Sequence, residues 1–247
     1  MAIKENLLIN HINELSSENS DNFIKLNKKK QAYLKSVLFL IFTLTVCLNS
    51  NLGIFNINLN KGCLFDLGLS LFKNINVFFQ SNARDYLLIF SSFLVDFCII
   101  HTVIYWAIYG KSWRLLFHIV IFYLPRGFVQ KYYNMPFPVN YNFSYPGFPS
   151  ISVPYGRTND FFWSGHVAIP IICGYEFKSH GHKYLFYFAI FTSLSEWITM
   201  LCLSGHYTID MIFGIIYVLY SLKLVEFFIS KVDNSCMKMK DNISHDQ

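Results

Sequence analysis

The stretch YLLIFSSFLVDFCIIHTVIYWAIY, Tyr86 to Tyr109, is apolar along almost its whole length, with Asp96 as its one formal charge. A bilayer-crossing helix needs about 20 such residues, and this run exceeds what a soluble core helix requires. Five more runs are of the same kind: about Val37–Phe55, Trp113–Val129, Phe161–Phe177, Tyr184–Leu203 and His206–Phe228. The first is the weakest, because Lys35 and the NSN at 49–51 flank it, and Pro125 should disturb the third. The composition agrees: 53% hydrophobic, 19% aromatic and 14% charged, with a mean hydropathy of +0.35. The expected fold is all-α, a polytopic membrane protein of six transmembrane helices. Its parts are a polar cytosolic segment over 1–33, a six-helix catalytic domain over 34–230 and a cytosolic tail over 231–247.

The net charge of +5 does not suggest nucleic acid, because the basic residues form short clusters between apolar runs. Placing Lys28–Lys30, Lys111, Arg114, Lys178, Lys183 and the tail lysines in the cytosol satisfies the positive-inside rule moderately well. Cys47, Cys63, Cys98, Cys173, Cys202 and Cys236 show no CxxC and read as buried small hydrophobes. About thirty mostly polar residues precede the first run, so a cleavable signal peptide is not expected.

Two helix entrances then fall on the outer face, and both carry SGH: Ser164-Gly165-His166 and Ser204-Gly205-His206. Only the second continues to an aspartate, in HYTID, where His206 and Asp210 stand four apart and share a helix face. A carboxylate there fixes one imidazole tautomer and leaves the other nitrogen as base or nucleophile. Ser164 is a natural N-cap, and Gly165 lets a large substrate approach the backbone. Helix N-termini favour anions, so both histidines border a phosphate-friendly site. A nucleophilic histidine, its aspartate and an acid histidine are the parts of phosphoryl transfer through a phosphohistidine, and that chemistry requires neither metal nor cofactor.

Charges within spans are functional candidates. Arg126, near the outer end of the third span, suits two phosphate oxygens. Glu196, about 15 Å along a helix from His206, should lie deeper than the reaction centre. Asp96 reads as a folding partner of His101. The segment 134–160 carries five of the seven prolines and is expected to be an outer loop. Its tyrosines, with Tyr132, Tyr133 and Trp163, suit a cage for a quaternary ammonium, although an interfacial aromatic belt has the same composition. NFS at 142–144 is a glycosylation sequon in that loop.

Asp160-FFW-SGH166 with His206-YTI-Asp210 resembles the two C-terminal motifs of the sphingomyelin synthases, in the superfamily of type 2 phosphatidic acid phosphatases. Arg126-GFVQKYYNM-PFP138 resembles their arginine-containing segment, and SGHYTID is equally similar to the plant phosphatidylcholine:diacylglycerol cholinephosphotransferases. The resemblance covers Arg126 to Gly214. It implies that His206 attacks phosphorus, Asp210 orients it and His166 is the acid, then the base. Arg126, Arg157, Asp160, Ser164, Gly165 and Tyr207 are the implied substrate-binding residues.

The sequence departs from both patterns. Thr158 and Asn159 replace a Cys-Gly pair, and Leu201 stands where lipid phosphatases have an arginine, leaving Arg126 and Arg157 as phosphate clamps. The expected activity is phosphocholine transfer from phosphatidylcholine to ceramide or diacylglycerol. The alternatives are a lipid phosphate phosphatase that uses water and a non-catalytic lipid-binding protein on the same scaffold. The expected location is the endoplasmic reticulum or Golgi in a eukaryote, or the cytoplasmic membrane in a bacterium.

Overall fold

A computed structural model describes residues 28–41, 64–79, 83–110, 112–132, 135–153, 155 and 161–245. All regular structure among them is helical: α1 (28–41), α2 (Leu67–Leu71), α3 (Lys73–Phe78), α4 (Ala83–Tyr109), α5 (Arg114–Tyr132), α6 (Gly165–Ser179), α7 (Lys183–Cys202) and α8 (Thr208–His245). Three helices are long and apolar enough to cross a membrane: Ala83–Tyr109, Lys183–Cys202 and Thr208–Ser230.

The expectation of six spans therefore holds only in part among the described residues. The first run, about Val37–Phe55, lies mostly outside the described residues. Helix α5 loses apolar length to Arg126, Gln130 and Lys131 in its last turns. Helix α6, with 15 residues, rises only about 22 Å against the roughly 30 Å of hydrocarbon. Helix α1 begins before residue 34, and α8 continues past 230 to His245.

Helix α6 is the hub. It packs on α4, α5, α7 and α8 and is buried nearly all round, from Gly165 to Phe177. That position tolerates a short helix, since most of its side chains meet protein. Gly174 permits the close crossing with α7, for a β-carbon there would lie 3.2 Å from that of Ala189. Gly214 does the same for α8, where an added β-carbon would fall 2.7 Å from the carbonyl oxygen of Ser164.

Neither proline inside a helix breaks it. Pro125 has no N–H for the carbonyl of Ile121, four residues earlier, and the hydroxyl of Tyr217 on α8 donates to that oxygen at 2.9 Å. This bond compensates for the proline and ties α5 to α8. Lys35, expected to weaken the first run, is buried: its Nζ donates to Gly110 O and lies 5.0 Å from the centre of the Trp106 ring. The cation is thus satisfied by a helix C-terminus and a π face.

Candidate active site

The chain reaches the site at two places where helices have not yet begun. The fourth span was expected to start at Phe161, but α6 starts at Gly165 because Trp163 adopts a left-handed backbone, φ 37°. Trp163 then enters the core, stacked 4.3 Å from Tyr217, and its carbonyl accepts from Arg126 Nε at 3.0 Å. Likewise α8 starts at Thr208 rather than His206, which sits in the turn before it. The two turns are fastened by their backbones: Ser164 N–H donates to Asp210 O at 3.0 Å.

That fastening brings the histidines together. His206 Nε2 lies 3.3 Å from His166 Nδ1, and His206 Nδ1 lies 3.5 Å from Asp210 Oδ2. All three residues are buried. The four-residue step works even though His206 is outside the helix, because Asp210 caps the helix backwards: its Oδ2 accepts Tyr207 N–H at 3.2 Å. A proton on His206 Nδ1 toward Asp210 would leave Nε2 as the acceptor and His166 Nδ1 as the donor between the rings. Those tautomers would set a lone pair and a proton donor on facing nitrogens.

Arg126 joins them from α5. A β-carbon on Gly165 would lie 3.8 Å from Arg126 Cζ and 3.4 Å from Tyr123 Oη, so the guanidinium rests against the first turn of α6. A fixed cation and the α6 amides thus converge one residue from His166. Ser164 occupies the N-cap position but makes no side-chain cap bond; its Oγ is buried without a hydrogen-bond partner among the described residues. Tyr207 turns its hydroxyl away to Pro136 O at 3.0 Å, which makes it a loop anchor rather than an evident substrate contact. Arg157 and Asp160 lie outside the described residues.

The proline-rich loop crosses the site as a strap. Phe143 meets His166 edge-on at 5.5 Å and Phe161 meets His206 at 6.0 Å. The tyrosines do not form a single box. Tyr132 stacks on Phe128 and Tyr141 on Phe137, while Tyr155 joins Phe143 and Tyr145. Tyr133 lies outside the described residues, and Trp163 belongs to the core, so the expected choline cage is not assembled from these rings.

Two residues that the sequence left as loop or packing groups hold this strap. Asp96 accepts Ile151 N–H at 3.0 Å, Ser152 N–H at 2.9 Å and the hydroxyls of Ser150 and Ser152, and not His101. His101 instead contacts Phe97 O at 3.0 Å. The Asn142 side chain donates to Phe79 O at 3.2 Å and accepts from Arg84 at 3.3 Å, so a glycan on its nitrogen would compete with the Phe79 contact. Glu196 is fully buried on α7 and accepts the hydroxyl of Ser91. No group of three His, Cys, Asp or Glu suited to a metal occurs among the described residues.

The family model AtPDCT1/2 matches residues 65–226, about two thirds of the chain. No curated protein and no solved structure matches.

Proposed function

The chain belongs to the AtPDCT1/2 family, the phosphatidylcholine:diacylglycerol cholinephosphotransferases, and from that premise we propose that it moves phosphocholine from phosphatidylcholine to diacylglycerol through a phosphohistidine. The observation that carries this reading is the facing pair His206 Nε2 and His166 Nδ1, 3.3 Å apart, with Asp210 behind His206.

His206 Nε2 attacks phosphorus as a phosphatidylcholine head group enters between the rings. The P–N bond forms, the P–O bond to the diacylglycerol oxygen breaks, and His166 Nδ1 protonates that oxygen. Asp210 balances the charge on the His206 ring. Arg126 and the α6 amides stabilise the phosphoryl oxygens, where preorganised donors act most strongly. A second diacylglycerol then binds where the first departed; His166 takes its hydroxyl proton, its oxygen forms the new P–O bond, and the P–N bond breaks. Donor product and acceptor belong to one chemical class, so one centre serves both halves in opposite directions. Ceramide, the other acceptor the sequence allows, has no support from the family match.

The aromatic strap favours a lipid acceptor over water. Phe143 and Phe161 flank the histidines with apolar edges, a surface that admits an acyl-bearing alcohol more readily than a hydrated one. The six-span topology, the outer or luminal position of the histidines and an endoplasmic reticulum location belong to the same proposal.

The test is reconstitution of purified protein in vesicles containing phosphatidylcholine labelled in the choline methyls and a fluorescent diacylglycerol. Fluorescent phosphatidylcholine should form with the wild type and not with His206→Ala. Equal product from both proteins would eliminate the enzymatic reading; phosphate release from phosphatidic acid would replace it with a phosphatase.

A further inference from the structure

The turn that carries His206 is held from outside by the short helices α2 and α3, to which neither the motifs nor the proposed chemistry assigns a task. Asp66 N-caps α2 through Leu69 N–H at 3.0 Å. The same carboxylate crosses to α8, accepting Thr208 N–H at 2.7 Å on Oδ2 and Thr208 Oγ1–H at 2.6 Å on Oδ1. One acid thus satisfies the starts of two helices. Contact is so close that a β-carbon on Gly68 would lie 2.1 Å from Thr208 Oγ1. Thr208 is two residues from both His206 and Asp210.

The other side of the turn is held by Asn76, which is 1% exposed. Its Nδ2 donates to Cys202 O at 3.0 Å, Ser204 Oγ at 3.2 Å and Asn140 O at 3.3 Å. Ser204 needs such support. Its φ of 49° is left-handed, a conformation non-glycine residues adopt at a cost, and it closes α7 with Gly205 N–H on Met200 O at 2.8 Å. Asn76 therefore fixes the end of α7 and Asp66 the start of α8, four residues apart, with His206 between them.

We infer that Asp66, Gly68 and Asn76 form a brace that positions His206, a role that rests on His206 being the nucleophile of the proposed transfer. The three act on His206 through the turn, by way of Thr208 and Ser204. Positioning of this kind matters because a displacement of about 1 Å at a reacting group costs on the order of 100-fold in rate.

The experiment pairs hydrogen exchange across the 202–212 segment with steady-state turnover, using the full-length protein in phosphatidylcholine nanodiscs. Asp66→Asn keeps the shape but places an amide donor against the Thr208 donors, and Asn76→Leu keeps the volume without the donors. Both should speed exchange in the turn, leave α4 and α6 protected, and lower kcat about 10- to 100-fold at unchanged KM for diacylglycerol. Thr208→Val should do the same more mildly, and Thr208→Ser should restore wild-type behaviour.

Unchanged exchange in the turn overturns the brace. Faster exchange at full kcat overturns positioning, as does equal loss of protection throughout the bundle in all variants, Thr208→Val included. If the wild type and His206→Ala turn over equally, the functional reading fails while the exchange data still decide whether the brace exists.

Discussion

In the proposed transfer His206 serves as the nucleophile only while its other nitrogen is engaged, and the carboxylate placed to do this is Asp210, 3.5 Å away. Asp210→Asn keeps an oxygen to accept Tyr207 N–H but removes the charge that selects the tautomer. The expected loss in kcat is on the order of 10⁴-fold, as for the same change behind a triad histidine, with little change in thermal stability. Turnover and melting of the purified variant, measured together, check both statements. Phe143 should behave differently, because it guards the site rather than acting in it. In Phe143→Ala the ring against His166 is gone, and water should gain access to the proposed phosphohistidine. Free phosphocholine should then rise relative to transferred phosphocholine, a ratio that chromatography of the labelled products reads directly. A fall in both products at constant ratio would count against the water-excluding role.

At the scale of elements, glycines separate contact from exposure. Gly214 faces the Ser164 backbone with no room for a β-carbon, so Gly214→Ala should push α8 off the α6 entrance and abolish activity even where folded protein remains. Gly127 in α5 has nothing within 4 Å, and Gly127→Ala should leave activity intact while stabilising the helix by about 0.5–1 kcal/mol. Thermal melts of the two variants in detergent, with turnover beside them, test the contrast.

The elements also show what a linear reading can and cannot reach. Helices α4, α7 and α8 were legible because hydropathy over some twenty residues is a local property. The His206–Asp210 pair was legible because a four-residue step survives whether or not the first residue is inside the helix. The apolar run begins at Phe161, four residues before α6, since Trp163 has a left-handed backbone angle that its apolar side chain conceals. The sequence leaves Trp163 open between a ligand cage and an interfacial belt: a tryptophan beside a motif looks the same whether it faces the ligand or Tyr217. Asp66 was invisible as a support for Thr208, because 142 residues separate them and only packing brings them together.

Across the whole molecule, chemistry and anchoring occupy opposite ends of α6. His166 is in its first turn, and Glu176, about 15 Å further along, forms a bidentate pair with Arg114 at 2.9 and 3.1 Å. Arg114 also reaches Glu226 on α8 at 3.4 Å, and Tyr175 donates to the same carboxylate at 3.1 Å. This network clamps α5, α6 and α8 where the site does not. Glu176 is 3% exposed, so Glu176→Gln leaves the half-buried Arg114 guanidinium with only Glu226 as counter-charge. A destabilisation of about 1–3 kcal/mol is expected. The same separation predicts that the residual folded enzyme keeps its KM and kcat, because no residue of the network lies at the site end. A drop in kcat per folded molecule would instead show that the two ends are mechanically coupled through the short central helix. That coupling is physically possible only because α6 touches protein along its whole length, so denaturation midpoints must be read beside activity per folded molecule to tell a distant clamp from a working part of the site.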